Sequence, residues 1–203
     1  KYASNSFLAL KISYINEIAN LCESVNADIH DVASAMGQDG RISDKFLHPG
    51  PGFGGSCFPK DLESLIAISR EKNVVMETLN AAIKANKNQK TKMGVKLENL
   101  IDKSIEDKKI AVLGLSFKAN TDDVRESSSI DIIEFILDKG GIVRAYDPIA
   151  NKSMSKIFKN ISYFDDVYDA IEGSDALVVM TEWNEFRALD LPRIKNIMKG
   201  AFI

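Results

Sequence analysis

Cysteine and histidine, the residues that most often build disulfides and metal sites, are scarce in this sequence. It has two cysteines, Cys22 and Cys57, and two histidines, His30 and His48. The cysteines are far apart and form no C-x-x-C pair, and neither histidine has a partner at ligand spacing. The sequence therefore predicts neither a disulfide framework nor a metal site. Free cysteines are typical of a reducing compartment, so we expect a cytoplasmic protein.

Long apolar runs and an excess of positive charge are also missing. No apolar stretch approaches the roughly 20 residues that span a bilayer, so we expect no membrane segment. The formal net charge of −3 argues against general nucleic-acid binding, which usually needs a basic face. An anionic ligand would therefore need locally placed cations. A chain of 203 residues that is 45% apolar can bury a sizeable core in one or two domains.

The two ends of the sequence lack the polar, frayed composition of natural termini. The chain starts at Lys1, without Met, and runs directly into a helical pattern. It stops at residues 201–203, an apolar run that is typical of a strand. We therefore expect a piece of a longer protein.

The first hundred residues carry only helical apolar spacing. We expect an amphipathic helix over about 1–25, with Cys22 on its apolar face, and a short helix from the N-cap Asp28 to Gly37. Further helices are expected after Pro59 and over about 76–103. The last has heptad-like spacing, which suits packing against another helix, including one from a second subunit. Core packing within one subunit explains that pattern almost as well.

From residue 105 onward, short β-branched runs alternate with helical segments. Strands are predicted at 109–114, 142–146 and 176–180, and helices at 128–139, 166–172 and 191–198. This alternation implies right-handed βαβ units and a parallel sheet.

The fold class is therefore α + α/β. We expect an all-helical domain over 1–104, followed by a Rossmann-like α/β domain over 105–203 with a mostly parallel sheet. The first turn of this second domain is Gly114-Leu115-Ser116-Phe117. Because it does not match Gly-x-Gly-x-x-Gly, the motif does not predict a standard dinucleotide site.

A glycine-dense loop leads into one cysteine at a predicted helix start, in the stretch Gly50-Pro51-Gly52-Phe53-Gly54-Gly55-Ser56-Cys57-Phe58-Pro59-Lys60-Asp61. The glycines allow positive φ and close approach of a ligand, and Pro59 suits the first turn of a helix. The helix start and the nearby Lys60 both favour a thiolate at Cys57. A buried, inert cysteine is the simpler interpretation of a lone thiol. We favour a nucleophile because loop, helix start and lysine agree.

A second candidate is the loop at 117–127, which follows the first predicted strand. Ligands of open α/β sheets bind beyond the carboxyl ends of the strands. Lys118 and Arg125 lie there, near helix N–H groups that also favour phosphate. A solvated charged loop explains the same residues equally well.

The stretch Gly52-Phe53-Gly54-Gly55-Ser56-Cys57-Phe58-Pro59-Lys60-Asp61 resembles the active-site signature of the nucleotide-sugar dehydrogenases, most closely the UDP-glucose 6-dehydrogenases. The similarity extends over essentially the whole chain. The other matching segments are Lys1-Tyr2-Ala3-Ser4-Asn5, Phe117-Lys118, residues 121–127, Tyr146-Asp147-Pro148 and Thr181-Glu182-Trp183. The resemblance implies oxidation of C6 of UDP-glucose to the carboxylate with two NAD.

The resemblance also assigns catalytic roles. Cys57 would be the nucleophile, which forms a thiohemiacetal with the aldehyde-level carbon and then a thioester. Lys1 and Asn5 would contact the substrate and stabilise the oxyanion at C6. Asp61 would help to activate the water that hydrolyses the thioester.

Substrate and cofactor contacts follow from the same resemblance. Arg41 would reach the substrate of the neighbouring subunit in a homodimer formed through the helical domain. NAD would be contacted by Lys60 and Arg125. The remaining substrate-binding residues would be Phe46, Leu47, His48, Pro49, Gly50, Phe53, Gly54, Phe117 and Lys118.

Two departures limit the resemblance. The family begins with an NAD-binding domain that carries Gly-x-Gly-x-x-Gly, and it continues beyond residue 203; neither part is in this sequence. We therefore expect the chain to be inactive alone. UDP-glucose is the favoured substrate, while GDP-mannose and other nucleotide sugars stay open. A non-catalytic nucleotide-sugar-binding and dimerisation module is the alternative from another class, and a thiol redox sensor at Cys57 is the weakest reading.

Overall fold

The computed structural model describes residues 1–101 and 104–200 and contains two compact units. The first unit is Lys1–Lys90 and the second begins at Thr91. The division falls inside a long helix, and the two units are described separately below. The domain limits expected from the sequence, 1–104 and 105–203, stay a prediction.

The first unit is helical, as the apolar spacing predicts. Asp28 caps the second helix by accepting a hydrogen bond from the backbone N–H of His30 at 2.7 Å, which confirms its predicted N-cap role. The last helix continues into the second unit, and its predicted end at 102–103 lies outside the described residues. The helices are α1 (Tyr2–Val25), α2 (Ile29–Gly37), α3 (Phe58–Glu71) and α4 (Glu77–Leu100).

A small apolar core holds this unit together. It joins Ala9 of α1, Leu62 of α3, Ala82 of α4 and Phe53 of the glycine-dense loop. Cys22 is buried on α1, with 6% of its surface exposed, as its position on the apolar stripe predicts. The loop before α3 is therefore anchored in the core by one of its own side chains.

The second unit is an α/β layer structure, as predicted. Its described sheet has four parallel strands in the order β3-β2-β1-β4. The strands are β1 (Lys109–Leu113), β2 (Ile142–Tyr146), β3 (Ser162–Tyr163) and β4 (Ala176–Val179). The helices are α5 (Ser128–Asp138), α6 (Asn151–Met154), α7 (Val167–Ile171), α8 (Asn184–Arg187) and α9 (Leu191–Ile197).

The central strand β1 is buried on both faces because its side chains alternate between two cores. Ile110 and Val112 pack in the core that contains α5, while Ala111 and Leu113 pack in the core that contains α7 and α9. This arrangement explains the continuous apolar run of the sequence, which is typical of a parallel sheet covered on both sides.

Three short elements were not predicted. Strand β3 has two residues, and α6 and α8 have four each, which is too short to show an apolar period. The strand predicted at 201–203 lies outside the described residues. Within 1–101 and 104–200, the structure has no helix with the length and apolarity to cross a membrane.

Candidate active site

Cys57 lies at the start of α3 and is exposed. It is the N-cap residue, and the backbone N–H of Asp61 donates to its carbonyl oxygen at 2.9 Å to begin the helix. Two of the four loop glycines have positive φ, 117° at Gly52 and 80° at Gly55, as the glycine-rich turn predicts. The thiol is thus presented to solvent at the end of a tight turn.

Asp61 lies one turn beyond Cys57 and is fully buried. Asn5 Nδ2 donates to Asp61 Oδ2 at 2.6 Å, and Lys1 Nζ lies 3.8 Å from the same oxygen. Lys60 Nζ lies 3.8 Å from Asp61 Oδ1. The structure therefore brings together Asp61, Lys1, Asn5 and Lys60, four of the residues predicted to bind or react, from the starts of α1 and α3.

The two oxygens of Asp61 are in different environments. Oδ2 accepts the Asn5 hydrogen bond, whereas Oδ1 is buried and has no hydrogen-bond partner among the described residues. Buried carboxylate oxygens normally have such a partner, and a buried charge needs nearby counter-charge, which Lys1 and Lys60 supply. An oxygen in this state can accept a proton from a water or a hydroxyl group.

Side-chain amides fix the backbone of the loop before Cys57. Asn86 accepts from the N–H of Phe53 at 2.8 Å and donates to its carbonyl oxygen at 3.0 Å. The N–H of Gly50 donates to Asn16 Oδ1 at 2.8 Å, and Gln89 Nε2 donates to the Gly50 carbonyl oxygen at 2.8 Å. No functional role for Asn86 was predicted from the sequence. The missed signal is that a polar side chain on a buried face needs a buried partner.

Lys11 holds the preceding loop in a similar way. Its ammonium donates to the carbonyl oxygens of Ile42 at 2.8 Å and Ser43 at 3.3 Å, and also to that of Lys45. This contact was not predicted either, because a lysine on a helix usually faces solvent. The segment that carries Arg41 is thereby fastened to α1.

Arg41 forms a forked ion pair with its neighbour Asp39. Its Nε donates to Oδ1 at 3.0 Å and its Nη2 to Oδ2 at 2.6 Å. The hydrogen bonds from Arg41 lower the pKa of Asp39 and raise that of Arg41. The guanidinium is 89% exposed, so it is available to a second molecule.

The segment predicted to line the substrate has buried and exposed members. Phe46 packs on Phe58 at 6.1 Å between ring centroids, and Phe53 packs on Phe58 at 6.0 Å. Phe58 follows Cys57 in the chain, so these rings pack together at the start of α3. Leu47 is buried in the unit, whereas His48 is exposed. Pro49, Gly50 and Gly54 are partly buried.

The second candidate loop lies in the second unit. Lys118 Nζ lies over the ring of its neighbour Phe117 at 5.4 Å from the centroid. Arg125 forms a forked pair with Asp123, with Nε to Oδ1 at 2.9 Å and Nη2 to Oδ2 at 2.7 Å. The hydrogen bonds from Arg125 lower the pKa of Asp123.

Two sequence profiles of one enzyme family match almost the whole chain. The UDP-glucose/GDP-mannose dehydrogenase family, central domain, matches residues 1–88, and the UDP binding domain of the same family matches residues 111–203. This chain belongs to the UDP-glucose/GDP-mannose dehydrogenase family. Both profiles agree with the resemblance that the cysteine signature indicates.

Individual members of the family support the assignment. The chain is 47% identical to a UDP-glucose 6-dehydrogenase of Rhizobium meliloti over 98% of its own length and 46% of that protein. A UDP-glucose dehydrogenase structure from Pyrobaculum islandicum has a TM-score of 0.89 at 31% identity, covering 99% of this chain and 50% of that one. A UDP-D-ManNAc dehydrogenase structure from Pyrococcus horikoshii has a TM-score of 0.84 at 26% identity, covering 98% and 45%. The chain spans about half the length of the curated relatives it matches.

The turn after β1 in this family member does not fit a dinucleotide. The N–H groups that would face a pyrophosphate, those of Leu115 and Ser116, donate to the buried carboxylate of Asp147 at 2.7 and 3.2 Å. Asp147 follows β2, where dinucleotide-binding folds place the acidic residue that holds the ribose. Here its other oxygen accepts from the N–H groups of Ile149 and Ala150. The N–H groups of Leu115 and Ser116 are therefore already bonded to Asp147 and do not offer themselves to a pyrophosphate.

Proposed function

We propose that this chain carries the nucleophile and part of the substrate site of a UDP-glucose 6-dehydrogenase. The observation that carries the proposal is the position of Cys57, which is exposed at the start of α3 one turn from the buried Asp61 cluster. The names of its relatives support UDP-glucose as the substrate. The family also contains structures with other nucleotide-sugar substrates in their names, such as UDP-D-ManNAc, which makes those sugars the alternative.

The chemistry proposed for Cys57 begins at the aldehyde-level C6. The thiolate attacks this carbon, a C–S bond forms and the carbonyl oxygen becomes an oxyanion. The Lys1 ammonium and the N–H of Asn5 that is not bonded to Asp61 stabilise this oxyanion. An amide nitrogen has two N–H groups, so the Asn5–Asp61 hydrogen bond leaves one for the substrate.

Asp61 serves the last step, hydrolysis of the thioester. Its Oδ1, which has no hydrogen-bond partner among the described residues, accepts a proton as a water adds to the thioester carbon. The C–S bond then breaks, and the Cys57 thiolate is regenerated with the carboxylate product. Lys1 and Lys60 stabilise the buried charge of Asp61 before the proton arrives.

Between these two steps the thiohemiacetal must lose a hydride from C6 to become the thioester, which requires a hydride acceptor, NAD in the proposed activity. Because the turn after β1 is filled by Asp147, we assign no step to an NAD molecule at that turn. Lys60 and Arg125 remain proposed NAD contacts outside it, and both have exposed charged groups. We propose that the chain alone forms no NADH from UDP-glucose.

The remaining predicted residues are proposed substrate contacts. Arg41 has the exposed cation needed to reach a neighbouring subunit. Phe117 and Lys118 offer a ring and an ammonium beside each other at the carboxyl end of β1. Exposed His48 and the glycine-rich backbone at Gly50 and Gly54 would contact the sugar and the phosphates.

We propose a homodimer formed through the helical unit. The stripe of α4 is used within this chain, since Leu79 and Leu97 are 5% and 4% exposed. Three side chains of α1 spaced seven residues apart are instead exposed: Phe7 at 61%, Tyr14 at 49% and Leu21 at 57%. Such a stripe on one helix face suits packing against the same face of a second copy.

Calorimetric titration of the chain with UDP-glucose, GDP-mannose and UDP-ManNAc tests the substrate class. We expect binding of UDP-glucose in preference to the other two. Absence of binding by all three would contradict the proposed function. A Lys118→Gln variant serves as the matched comparison, since it removes one proposed phosphate contact at an exposed position.

A chimera tests the chemistry. The half of the Rhizobium meliloti relative that this chain does not match would be joined to this chain, and NADH formation from UDP-glucose would be measured with the intact relative as reference. Cys57→Ser is expected to lower formation of the acid by roughly 10³-fold or more, as loss of a catalytic nucleophile does. Full activity of the Cys57→Ser chimera would show that this chain does not supply the nucleophile. The alternative, a non-catalytic nucleotide-sugar-binding module, would then be favoured for this chain.

A further inference from the structure

The segment that delivers Cys57, residues 49–56, is held by side-chain amides from two helices, and we call it the glycine loop. We propose that Asn86 is a positioning residue for Cys57, an inference that rests on the proposed role of Cys57 as nucleophile. Asn86 Oδ1 accepts from the N–H of Phe53 at 2.8 Å, and Asn86 Nδ2 donates to the Phe53 carbonyl oxygen at 3.0 Å. One side chain thus forms hydrogen bonds with both the N–H and the carbonyl oxygen of one loop residue.

The glycine loop needs such support because of its composition. Glycine loses more backbone freedom on ordering than any other residue, and Gly52 and Gly55 must also hold φ of 117° and 80°. The amide of Asn86 acts on Phe53 as a neighbouring strand would. Asn86 is 7% exposed, so water has little access to compete for these two hydrogen bonds.

A chain of contacts leads from Asn86 to the thiol. The ring of Phe53 packs edge-on against that of Phe58, with centroids 6.0 Å apart and planes at 80°. Phe58 is the first residue of α3 and follows Cys57 directly. Fixing Phe53 therefore holds the side chain of the residue that directly follows the nucleophile in the chain. This matters because a misplacement of about 1 Å can lower the rate of a reaction about 10²-fold.

A second pair of amides holds the other end of the glycine loop. Asn16 accepts from the N–H of Gly50, and Gln89 donates to its carbonyl oxygen. Asn20 Nδ2 donates to Gln89 Oε1 at 2.9 Å, which leaves the Gln89 nitrogen directed at Gly50. These residues anchor the loop three residues before Phe53, whereas Asn86 anchors the part nearer to Cys57.

The test compares Asn86→Leu with the control Ser13→Ala in the full chain. Ser13 Oγ donates to the carbonyl oxygen of Ala82 at 3.0 Å, so the control also removes a buried hydrogen bond between α1 and α4 but none to the loop. Two quantities are measured: hydrogen exchange at the Phe53 amide, and the factor by which UDP-glucose slows alkylation of Cys57 by iodoacetamide. The chain has one other cysteine, Cys22, which is buried. The masses of the alkylated peptides distinguish the two, so the measured rate can be assigned to Cys57.

We expect Asn86→Leu to speed exchange at Phe53 at least tenfold and to lower the UDP-glucose protection of Cys57 at least threefold. Ser13→Ala should leave both within twofold of the original chain, even where it lowers stability. Unchanged exchange in Asn86→Leu, or equal effects in both variants, would overturn the inference.

Two further outcomes are distinguishable. If UDP-glucose does not protect Cys57 in the original chain, the proposed function fails, and exchange at Phe53 and the unprotected alkylation rate still decide whether Asn86 positions the thiol. If Asn86→Leu does not fold, Asn86→Ala replaces it, because alanine also removes both hydrogen bonds to Phe53 and adds no bulk. The same rise in exchange and the same loss of protection are then expected, and wild-type values of both would overturn the inference.

Discussion

Asn5 donates a 2.6 Å hydrogen bond to Asp61, a carboxylate whose side chain has no exposed surface, across 56 positions of sequence. The contact joins the start of α1 to the first turn of α3, where Cys57 lies. It therefore links the stability of the helical unit to the geometry of the candidate active site. A substitution at either residue should affect both.

Asn5→Ala is predicted to destabilise the chain by about 1–3 kcal/mol, because it leaves a buried carboxylate oxygen without its hydrogen-bond donor. Urea unfolding measures the effect, with Asn88→Ala, at an exposed position of α4, as control. A double-mutant cycle with Asp61→Ala should give a coupling energy of about 0.5–3 kcal/mol. Equal stability of the Asn5→Ala and Asn88→Ala variants would show that the contact contributes nothing.

Gly94→Ala is predicted to destabilise the second unit, although alanine is the better helix former by about 1 kcal/mol. A Cβ at position 94 would lie 2.5 Å from Cγ of the Phe135 ring. Because Cγ is the ring atom nearest the backbone of α5, its position is constrained by that helix. Overpacking of this kind costs about 1–3 kcal/mol. The measurement is thermal or urea unfolding, compared with Gly40→Ala, where a Cβ would meet nothing within 4 Å. Addition of Phe135→Leu should restore part of the loss; a stabilised Gly94→Ala chain would refute the packing argument.

Tyr163 gives the second unit a pH dependence at high pH. Burial raises the pKa of Tyr163 from 10.0 to about 12, while its hydroxyl donates to the carbonyl oxygen of Phe158 at 2.9 Å. The folded pKa is above the unfolded one, so the contribution of the neutral phenol to stability is complete below pH 10.0. It is lost as the pH rises toward about 12, because the unfolded chain ionises first.

Tyr163→Phe is therefore predicted to make the loss of stability above pH 10.0 shallower. Urea unfolding on both sides of that pH measures the slope, and an ultraviolet titration should lose one late phenolate transition. Tyr2→Phe, at a position that is 39% exposed and outside the proposed dimer stripe, is the control and should leave the slope unchanged. Identical slopes for both variants would contradict the assignment to Tyr163.

Much of the fold follows from local sequence signals. The apolar spacing of α1, the Asp28 cap and the β-branched run of β1 each depend on neighbouring residues, so their bounds could be predicted closely. Strand β3 could not, because two residues show no period. The apolar stripe of α4 was correctly predicted. Whether that stripe packs within the chain or against a second subunit depends on tertiary structure, which the spacing alone does not give. Leu79 and Leu97 are both buried within this chain, and Leu97 packs in the core of the second unit.

The candidate site was predictable only where a specific motif marked it. The glycine loop and its resemblance to a family signature identified Cys57, Asp61, Lys1 and Asn5, and the structure brings the last three together. The supports of the loop carry no such signal. Asn86 bonds a backbone 33 positions away and Lys11 bonds carbonyl oxygens more than 30 positions away. Every residue has the same backbone carbonyl group, so the sequence does not indicate which one a distant side chain will bond.

Tyr14→Glu is predicted to weaken association of the chain with itself. Tyr14 lies in the middle of the exposed stripe between Phe7 and Leu21, where a charge would be buried without a partner if two copies pack through α1. The dissociation constant should rise at least about tenfold, equivalent to about 1.4 kcal/mol. Sedimentation equilibrium measures it, with Leu191→Glu as control, since Leu191 is 60% exposed on α9 of the other unit. If the original chain is monomeric, or if both variants dissociate alike, the stripe does not form the dimer. A loss confined to Tyr14→Glu would place the interface on α1, because the control introduces the same charge on another exposed apolar residue.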